Sequence, residues 1–314
     1  MKNLKHLRVV FMGTPDFSVP CLEELEKHCT VEAVFTQPDR PRGRGQKTTP
    51  SPVKAFAVSK GLPVFQPEKI KTPEAEAQLE AMHPDIIVVV AFGQILSQKI
   101  LDIPRLGCIN VHASLLPRYR GAAPLHWSIV NGETHTGVTT MFMDAGLDTG
   151  DMLLKTEVAI DEEMTTAELH DILMKKGADL LIATLEKLDE GSIVREKQDD
   201  AISNYAPLLK KDTGRIHWTL PARQLHNLVR GLNSWPGAFC LLEGKTFKIW
   251  KTALYTGSES GKPGEVIKIT RQGFVIATGE GALEILELQA PSKKKMQAAE
   301  YIRGNGLALH MCFE

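Results

Sequence analysis

The sequence predicts an α/β protein with a Rossmann-like, mainly parallel sheet, followed by a C-terminal OB-like β-barrel domain. Three observations carry that expectation. Short apolar runs alternate with helix-period segments over the first two-thirds of the chain, the pattern of a parallel sheet covered by helices. A strand, a glycine turn and a helix open the chain, as in doubly wound folds. After Ser203 the pattern changes to short strands separated by glycine turns, which suits a small barrel. A length of 314 residues also favours two domains. The expected division is residues 1–203 for the first domain, 204–214 for a linker and 215–314 for the barrel.

Leu7-Arg8-Val9-Val10-Phe11-Met12 reads as the first strand and stops at Gly13. Phe17, Cys21, Leu22 and Leu25 then recur at helical spacing within residues 16–28. Residues 31–36 are a second strand. Further apolar runs lie at 62–65, 86–91 and 108–111, with helical patterns near 51–59, 73–82 and 123–130. Residues 136–143 and 151–158 flank a glycine-containing turn and predict an antiparallel pair at the sheet edge. Residues 166–188 predict a long amphipathic helix, with Leu169, Ile172, Leu173, Leu180, Leu181, Leu185 and Leu188 on one stripe. Residues 221–232 predict one helix burying Leu225, Leu228, Val229 and Leu232. Five short strands follow at 238–242, 246–252, 264–269, 273–278 and 282–289, and a Greek-key barrel is the common five-stranded solution.

Composition narrows the function classes. With 43% hydrophobic and 24% charged residues the chain is globular, not disordered. The formal net charge of −1 hides an asymmetry: residues 208–314 carry 15 Lys and Arg against 9 Asp and Glu, whereas residues 1–207 carry 22 against 29. A basic half suggests contact with a polyanion, although compositional drift gives the same figures. No apolar run is long enough to span a membrane, and residues 1–7 are too short and polar for a signal peptide. The five cysteines are scattered with no C-x-x-C pair, which argues for a reducing cytoplasm and against disulfides or a structural zinc. Each cysteine reads as a small buried hydrophobe.

Three constellations bear on chemistry. Gly13-Thr14-Pro15 follows the first strand, but Pro15 stands where a dinucleotide fingerprint needs its second glycine, so a nicotinamide or flavin is not expected. In Cys108-Ile109-Asn110-Val111-His112, side chains alternate with period two, so Asn110 and His112 share one strand face. A polar pair at a strand's C-terminal end sits where open α/β sheets bind ligands. Met143-Asp144-Ala145-Gly146-Leu147-Asp148-Thr149-Gly150 is a glycine-flanked acidic loop whose aspartates read either as Asx-turn formers or, for Asp148, as a partner that orients His112.

Asn110-x-His112-x-Ser114-Leu115-Leu116-Pro117, continuing through Arg120-Gly121-Ala122-Ala123-Pro124, resembles the signature of the 10-formyltetrahydrofolate-dependent formyltransferases. Gly146-Leu147-Asp148-Thr149-Gly150 is similar to their catalytic-aspartate loop. Gly13-Thr14-Pro15-Asp16-Phe17, Gln37-Pro38-Asp39-Arg40 and Ser234-Trp235-Pro236-Gly237-Ala238 resemble motifs of the tRNA-specific members, the methionyl-tRNA formyltransferases. The resemblance spans nearly the whole chain. It implies the formyltransferase fold and transfer of a formyl group from 10-formyltetrahydrofolate to the α-amino group of methionine on initiator tRNA. The cytoplasm is the implied location, with no metal, a monomeric state and no obligate protein partner.

The resemblance also assigns residues. Asn110, His112 and Asp148 fall on the catalytic triad: Asn110 is expected to donate to the formyl oxygen and Asp148 to orient His112, whose cationic-donor role at the same oxygen is favoured, with proton shuttling through water, beside a neutral-base role. The turn Ser114, Leu115, Leu116 and Pro117 borders the folate. Phe92, Gly93, Ile95 and Leu96, in the loop after the 86–91 strand, are a reasonable second wall, with plain core packing of Phe92 and Ile95 as the equal alternative. Arg40, Arg42, Arg44 and Lys47 form a basic loop similar to the one that meets the tRNA acceptor stem, with Arg44 the best match for its key arginine. Lys211, Lys248, Lys293, Lys294 and Lys295 extend a basic track for tRNA. Relatives usually carry Lys-Leu-x-Lys in the linker, whereas this chain reads Leu208-Leu209-Lys210-Lys211. Two rival functions share the triad: formyl transfer to another amine, and hydrolysis of 10-formyltetrahydrofolate to formate. Neither needs the basic loop and basic C-terminal half.

Overall fold

The computed structural model describes residues 3–42 and 47–314, apart from the side chains of Arg42, Lys47 and Asn305. The chain divides into two compact units. One contains Met1–Gly121, Thr136–Val158 and His170–Tyr205; the other contains Ala122–His135, Ala159–Leu169 and Ala206–Glu314.

In chain order the first elements are β1 (Leu4–Gly13), α1 (Val19–His28), β2 (Cys29–Phe35), β3 (Arg40–Arg42), β4 (Lys47–Thr49), α2 (Pro52–Ser59) and β5 (Val64–Phe65). There follow α3 (Pro73–Ala81), β6 (Ile86–Val90), α4 (Gln98–Leu101), β7 (Cys108–His112), β8 (Arg120–Gly121), α5 (Pro124–Val130), β9 (His135–Phe142), β10 (Met152–Ala159), α6 (Thr166–Asp189) and β11 (Tyr205–Ala206). Helix starts follow capping chemistry: the Ser51, Thr72 and Ser97 hydroxyls accept N–H bonds at the openings of α2, α3 and α4. The seven-stranded sheet has the order β10-β9-β7-β6-β1-β2-β5. Its strands from β5 to β7 run parallel, and β9 pairs antiparallel with β7. The expected antiparallel pair is β9 and β10, with β10 at the edge.

The two faces of the sheet are distinct. Val10, Met12, Ile87, Val89 and Cys108 join Leu79, Ile100 and Leu101 of α3 and α4 in one apolar cluster. Val111 and Val138 face α6, where Gly177 leaves no Cβ between helix and sheet: one built there would lie 3.1 Å from Val111 Cγ1. Thr140 Oγ1 meets Thr184 Oγ1 of α6 at 2.8 Å. Asn110 and His112 alternate with Val111 and so point away from α6. β6 is buried at every residue, as a central parallel strand should be.

One difference concerns the basic loop. At the ends of the segment expected as a basic loop, residues 40–42 pair with 47–49 as a two-stranded antiparallel ribbon, with Arg40 opposite Thr49 and Arg42 opposite Lys47; residues 43–46 lie outside the described residues. Thr48 and Thr49 are β-branched and suit a strand, a signal outweighed in the sequence by the glycines at 43 and 45.

The second unit adds α7 (Ala222–Gly231), β12 (Ala238–Leu242), β13 (Lys245–Tyr255), β14 (Val266–Ile269), β15 (Phe274–Ala277), β16 (Ala282–Gln289), β17 (Met296–Gln297) and α8 (Ala298–Asn305). The order is β12-β13-β16-β15-β14, with every neighbour antiparallel and β17 paired to β16. β12 and β14 are the two open ends, and the last residues of the chain close them. Val266 N–H donates to Met311 O at 2.9 Å and Phe313 N–H to Gly264 O at 2.8 Å. Leu241 and Glu314 exchange both backbone bonds at 2.9 and 2.8 Å. Closure removes unpaired strand edges. Phe313 alternates inward and stacks on Phe274 at 5.7 Å. Cys312 therefore faces outward and is exposed, which corrects the expectation of five buried cysteines; the other four are buried.

α7 buries more than its apolar stripe. His226, Asn227 and Arg230 are also buried: His226 and Arg230 tie down the segment before α6, and Asn227 Oδ1 accepts from Arg230 Nε at 2.9 Å. Arg230 Nη1 donates to Asp161 O at 3.1 Å and Met164 O at 3.0 Å, and Thr166 Oγ1 donates to Gly231 O at 2.6 Å. Buried polar groups need partners, and these backbone carbonyls supply them.

Candidate active site

The site lies at the carboxyl end of β7, within the first unit. His112 is buried and its two ring nitrogens have different surroundings. Nε2 lies 2.9 Å from the Tyr119 carbonyl oxygen. A carbonyl only accepts, so Nε2 carries a proton and donates. In the neutral ring Nδ1 then holds the lone pair, and it faces Asp148 Oδ2 at 3.8 Å. Asn110, half-buried on the same face, donates from Nδ2 to Asp148 Oδ1 at 3.3 Å. That bond uses one of the two amide hydrogens and leaves the other for a ligand. The three residues expected to act together do meet.

The Asp148 loop is held on both sides. Gly121 N–H donates to Asp148 Oδ2 at 2.8 Å. Gln198 Nε2 donates to the Asp148 and Gly150 carbonyls, both at 2.8 Å, while Arg120 Nε donates to Gln198 Oε1 at 2.9 Å. Asp148 adopts φ 54°, the left-handed region that non-glycine residues seldom enter. Such a conformation persists only where surrounding bonds over-determine it, and the Gln198 amide provides them here. Gly150 has no room for a side chain, since a Cβ would sit 1.8 Å from Phe142 O. Between the two expected uses of the aspartates, Asp144 makes the Asx turn: its Oδ1 accepts from Gly146 N–H at 3.0 Å and Thr149 Oγ1 at 2.7 Å. Asp148 is left to face Asn110 and His112.

Gln198, the Tyr119 carbonyl and the Gly121 amide were not legible as site residues. Gln198 lies 50 positions from Asp148 and sits in no motif. The other two are backbone groups, which carry no residue-type signal.

The turn after β7 is built from inside. Thr139 Oγ1 donates to Ser114 O at 2.7 Å and accepts from Leu116 N–H at 3.1 Å. The Ser114 hydroxyl is spent on Arg118 O at 2.7 Å. Leu116 packs with Met141 and Met152, Pro117 is buried and Leu115 half-buried. In the loop after β6, Phe92 and Leu96 lie in the core beside α3 and α4. Ile95 is 67% exposed, and Gly93 takes φ +87°. Val89 pairs with Asn110, so this loop and Asn110 emerge at the same sheet edge. Thr14 Oγ1 at 3.0 Å and Gln37 Nε2 at 3.2 Å both donate to Phe92 O, which fixes the loop from β1 and β2. Asp39 pairs with Lys54 and accepts from Gln66 Nε2 at 2.8 Å. The Lys54 ammonium, with Gln66, holds its carboxyl below the usual carboxylate range.

The basic residues are distributed over both units. Arg40 opens the ribbon and is exposed; Arg44 lies outside the described residues, as do the side chains of Arg42 and Lys47. Lys211, Lys293 and Lys294 are exposed. Lys248 Nζ donates to Pro236 O at 3.2 Å, and Lys295 pairs with Glu287. Among the described residues, no helix is long and apolar enough to cross a membrane.

Residues 7–185 match the family model described as formyl transferase, and residues 208–306 match its C-terminal domain. A methionyl-tRNA formyltransferase of Trichlorobacter lovleyi is 55% identical over 96% of this chain and 95% of its own length. One from Geobacter metallireducens is 52% identical over 95% of this chain and 96% of its own. Among solved structures, WlaRD, a sugar 3N-formyl transferase crystallised in the presence of dTDP and 5-N-formyl-THF, superposes with a TM-score of 0.68. It is 20% identical and covers 92% of this chain and 99% of its own, a likeness of fold.

Proposed function

The chain belongs to the formyl transferase family, and we propose that it transfers the formyl group of 10-formyltetrahydrofolate to the α-amino group of methionine on initiator tRNA. The product is N-formylmethionyl-tRNA for translation initiation. The observation that carries this reading is whole-length identity above one-half to methionyl-tRNA formyltransferases, extending through the C-terminal unit. From that acceptor we infer a cytoplasmic location.

When bound, the folate supplies the formyl carbon: a C–N bond to the methionine amine forms, the bond to N10 breaks, and the amine's proton passes to N10. Asn110 donates its second amide hydrogen to the formyl oxygen as negative charge develops there. It suits the role because an amide donates without titrating. His112 works through Nδ1, since Nε2 is committed to the Tyr119 carbonyl. Nδ1 accepts the proton of the attacking amine, and Asp148 stabilises the imidazolium that results. Gln198 and Gly121 hold Asp148 in register. For the folate ring, the exposed Ile95 and the side-chain-free Gly93 provide an apolar wall with accessible backbone. Phe92, Leu96, Leu116 and Pro117 support that wall and the opposing turn from beneath, with Ser114 and Leu115 shaping the turn.

The tRNA is met by cations: Arg40, Arg42, Arg44 and Lys47 within residues 40–47 of the sequence, and Lys211, Lys248, Lys293, Lys294 and Lys295 in the C-terminal unit. Charge release on phosphate contact makes such binding weaken steeply with salt. Incubation with formyl-labelled 10-formyltetrahydrofolate and methionyl initiator tRNA tests the assignment. Label is expected on the tRNA. Label recovered only as free formate, with or without tRNA, rejects it in favour of a hydrolase.

A further inference from the structure

We propose that Trp235 is a stacking platform for an unpaired base of the RNA acceptor, an inference that rests on the RNA-directed function above. Its side chain is 55% exposed, a large apolar surface left in water on a turn whose backbone is fixed. Asn233 Nδ2 donates to Trp250 O at 3.1 Å, and Gly237 N–H donates to Leu232 O at 3.0 Å. Lys248 Nζ donates to Pro236 O at 3.2 Å. Gly237, at φ +81°, lies so close to Trp250 that a Cβ would meet its ring at 3.0 Å. The indole is thus presented by a clamped turn, and a partner that stacks on it orders little else.

The surroundings favour an anionic partner. A Cβ on Gly214 would lie 2.2 Å from Gly237 O, so the short helix Lys211–Gly214 runs against this turn. Lys248 also approaches this turn, its Nζ 3.6 Å from where a Cβ on Gly237 would lie, and Lys210, Lys211 and Arg215 belong to the segment that contains Gly214, with Asp212 as its acid. Arg215 is anchored by a bridge to Phe239, its guanidinium 5.8 Å from that ring. A flat aromatic face rimmed by cations is the pairing used for single-stranded nucleic acid: the base stacks and the phosphates meet the charges. An apolar protein partner would gain nothing from the cations.

The test uses the full-length protein and an RNA hairpin with a short single-stranded 3′ overhang, with binding followed by fluorescence anisotropy. Trp235→Ala should weaken binding about five- to hundredfold, the range for losing one stacked base, and Trp235→Phe should recover most of it. The same hairpin with an abasic overhang should bind the parent protein as weakly as the intact hairpin binds Trp235→Ala. Combining both changes should cost no more than either alone. Equal binding by parent and Trp235→Ala overturns the proposal, as does an undiminished effect of Trp235→Ala on the abasic hairpin. Formyl transfer to methionyl-tRNA is assayed in parallel. Transfer without a Trp235 effect sinks this inference alone, whereas absence of transfer by the parent sinks the functional reading.

Discussion

At the scale of single residues, the site is decided by which hydrogen bonds are already taken. The Tyr119 carbonyl occupies His112 Nε2, so only Nδ1 is available to move a proton. Asp148 takes one Asn110 hydrogen and leaves the other, which the proposed reaction directs to the formyl oxygen. Asn110→Ala removes that donor and should lower kcat about 10²- to 10³-fold, as for other oxyanion-stabilising amides. Steady-state kinetics with an unchanged kcat in a folded variant would refute the role. Gln198→Ala tests positioning separately from chemistry. It leaves Asn110, His112 and Asp148 in place but frees Asp148 from its φ 54° geometry. A displacement of about 1 Å costs up to roughly 10² in rate, so kcat should fall about ten- to hundredfold with little change in KM. A rise in KM with kcat preserved would instead assign Gln198 to binding. Asn110 and His112 were legible because strand alternation puts them on one face. Gln198 was not, since no periodicity links residues so far apart in the chain.

At the scale of elements, most strands and helices were legible from apolar period and glycine punctuation. β6 is an unbroken apolar run and β7 alternates, so each announces its environment. The closing segment at residues 311–314 did not, because four residues carry no period and their partners lie at Leu241 and Val266. The segment nevertheless seals the barrel. Phe313→Ala should destabilise the C-terminal unit by about 3–5 kcal/mol, the cost of emptying a buried aromatic site. Cys312→Ser, on the outward face, should change stability by less than about 0.5 kcal/mol. Urea midpoints decide: equal effects from the two would show that residues 311–314 do not close the sheet. α7 teaches the complementary point. Its apolar stripe predicted a helix, but His226 and Arg230 are buried by a segment that only the folded chain brings near.

At the scale of the whole molecule, a net charge of −1 conceals a charge asymmetry, residues 208–314 being basic and residues 1–207 acidic, which fits the RNA acceptor proposed above. Binding of tRNA should therefore weaken in proportion to a high power of salt concentration, while binding of folate alone should not. Acid sensitivity should come partly from His226. Burial is the main cause that pushes its pKa below the ordinary 6.5, with Glu163 opposing and Arg230 and Arg223 adding to the shift. The unfolded chain therefore takes up the proton more readily than the folded one. Stability is full above about pH 6.5 and falls as pH drops through the folded value. Comparing urea midpoints at about pH 7.5 and about pH 5, the parent should lose more than His226→Gln; an equal loss assigns the acid sensitivity elsewhere.

The sequence by itself determined the fold class, the strand that bears Asn110 and His112, and the charge asymmetry, because each is a local or additive property of residue type. Tertiary structure decided which aspartate faces the histidine, which imidazole nitrogen is free to react, and how the barrel closes. Those outcomes depend on backbone carbonyls, amides and close approaches between distant segments. Residue identity does not encode such groups until the chain is folded.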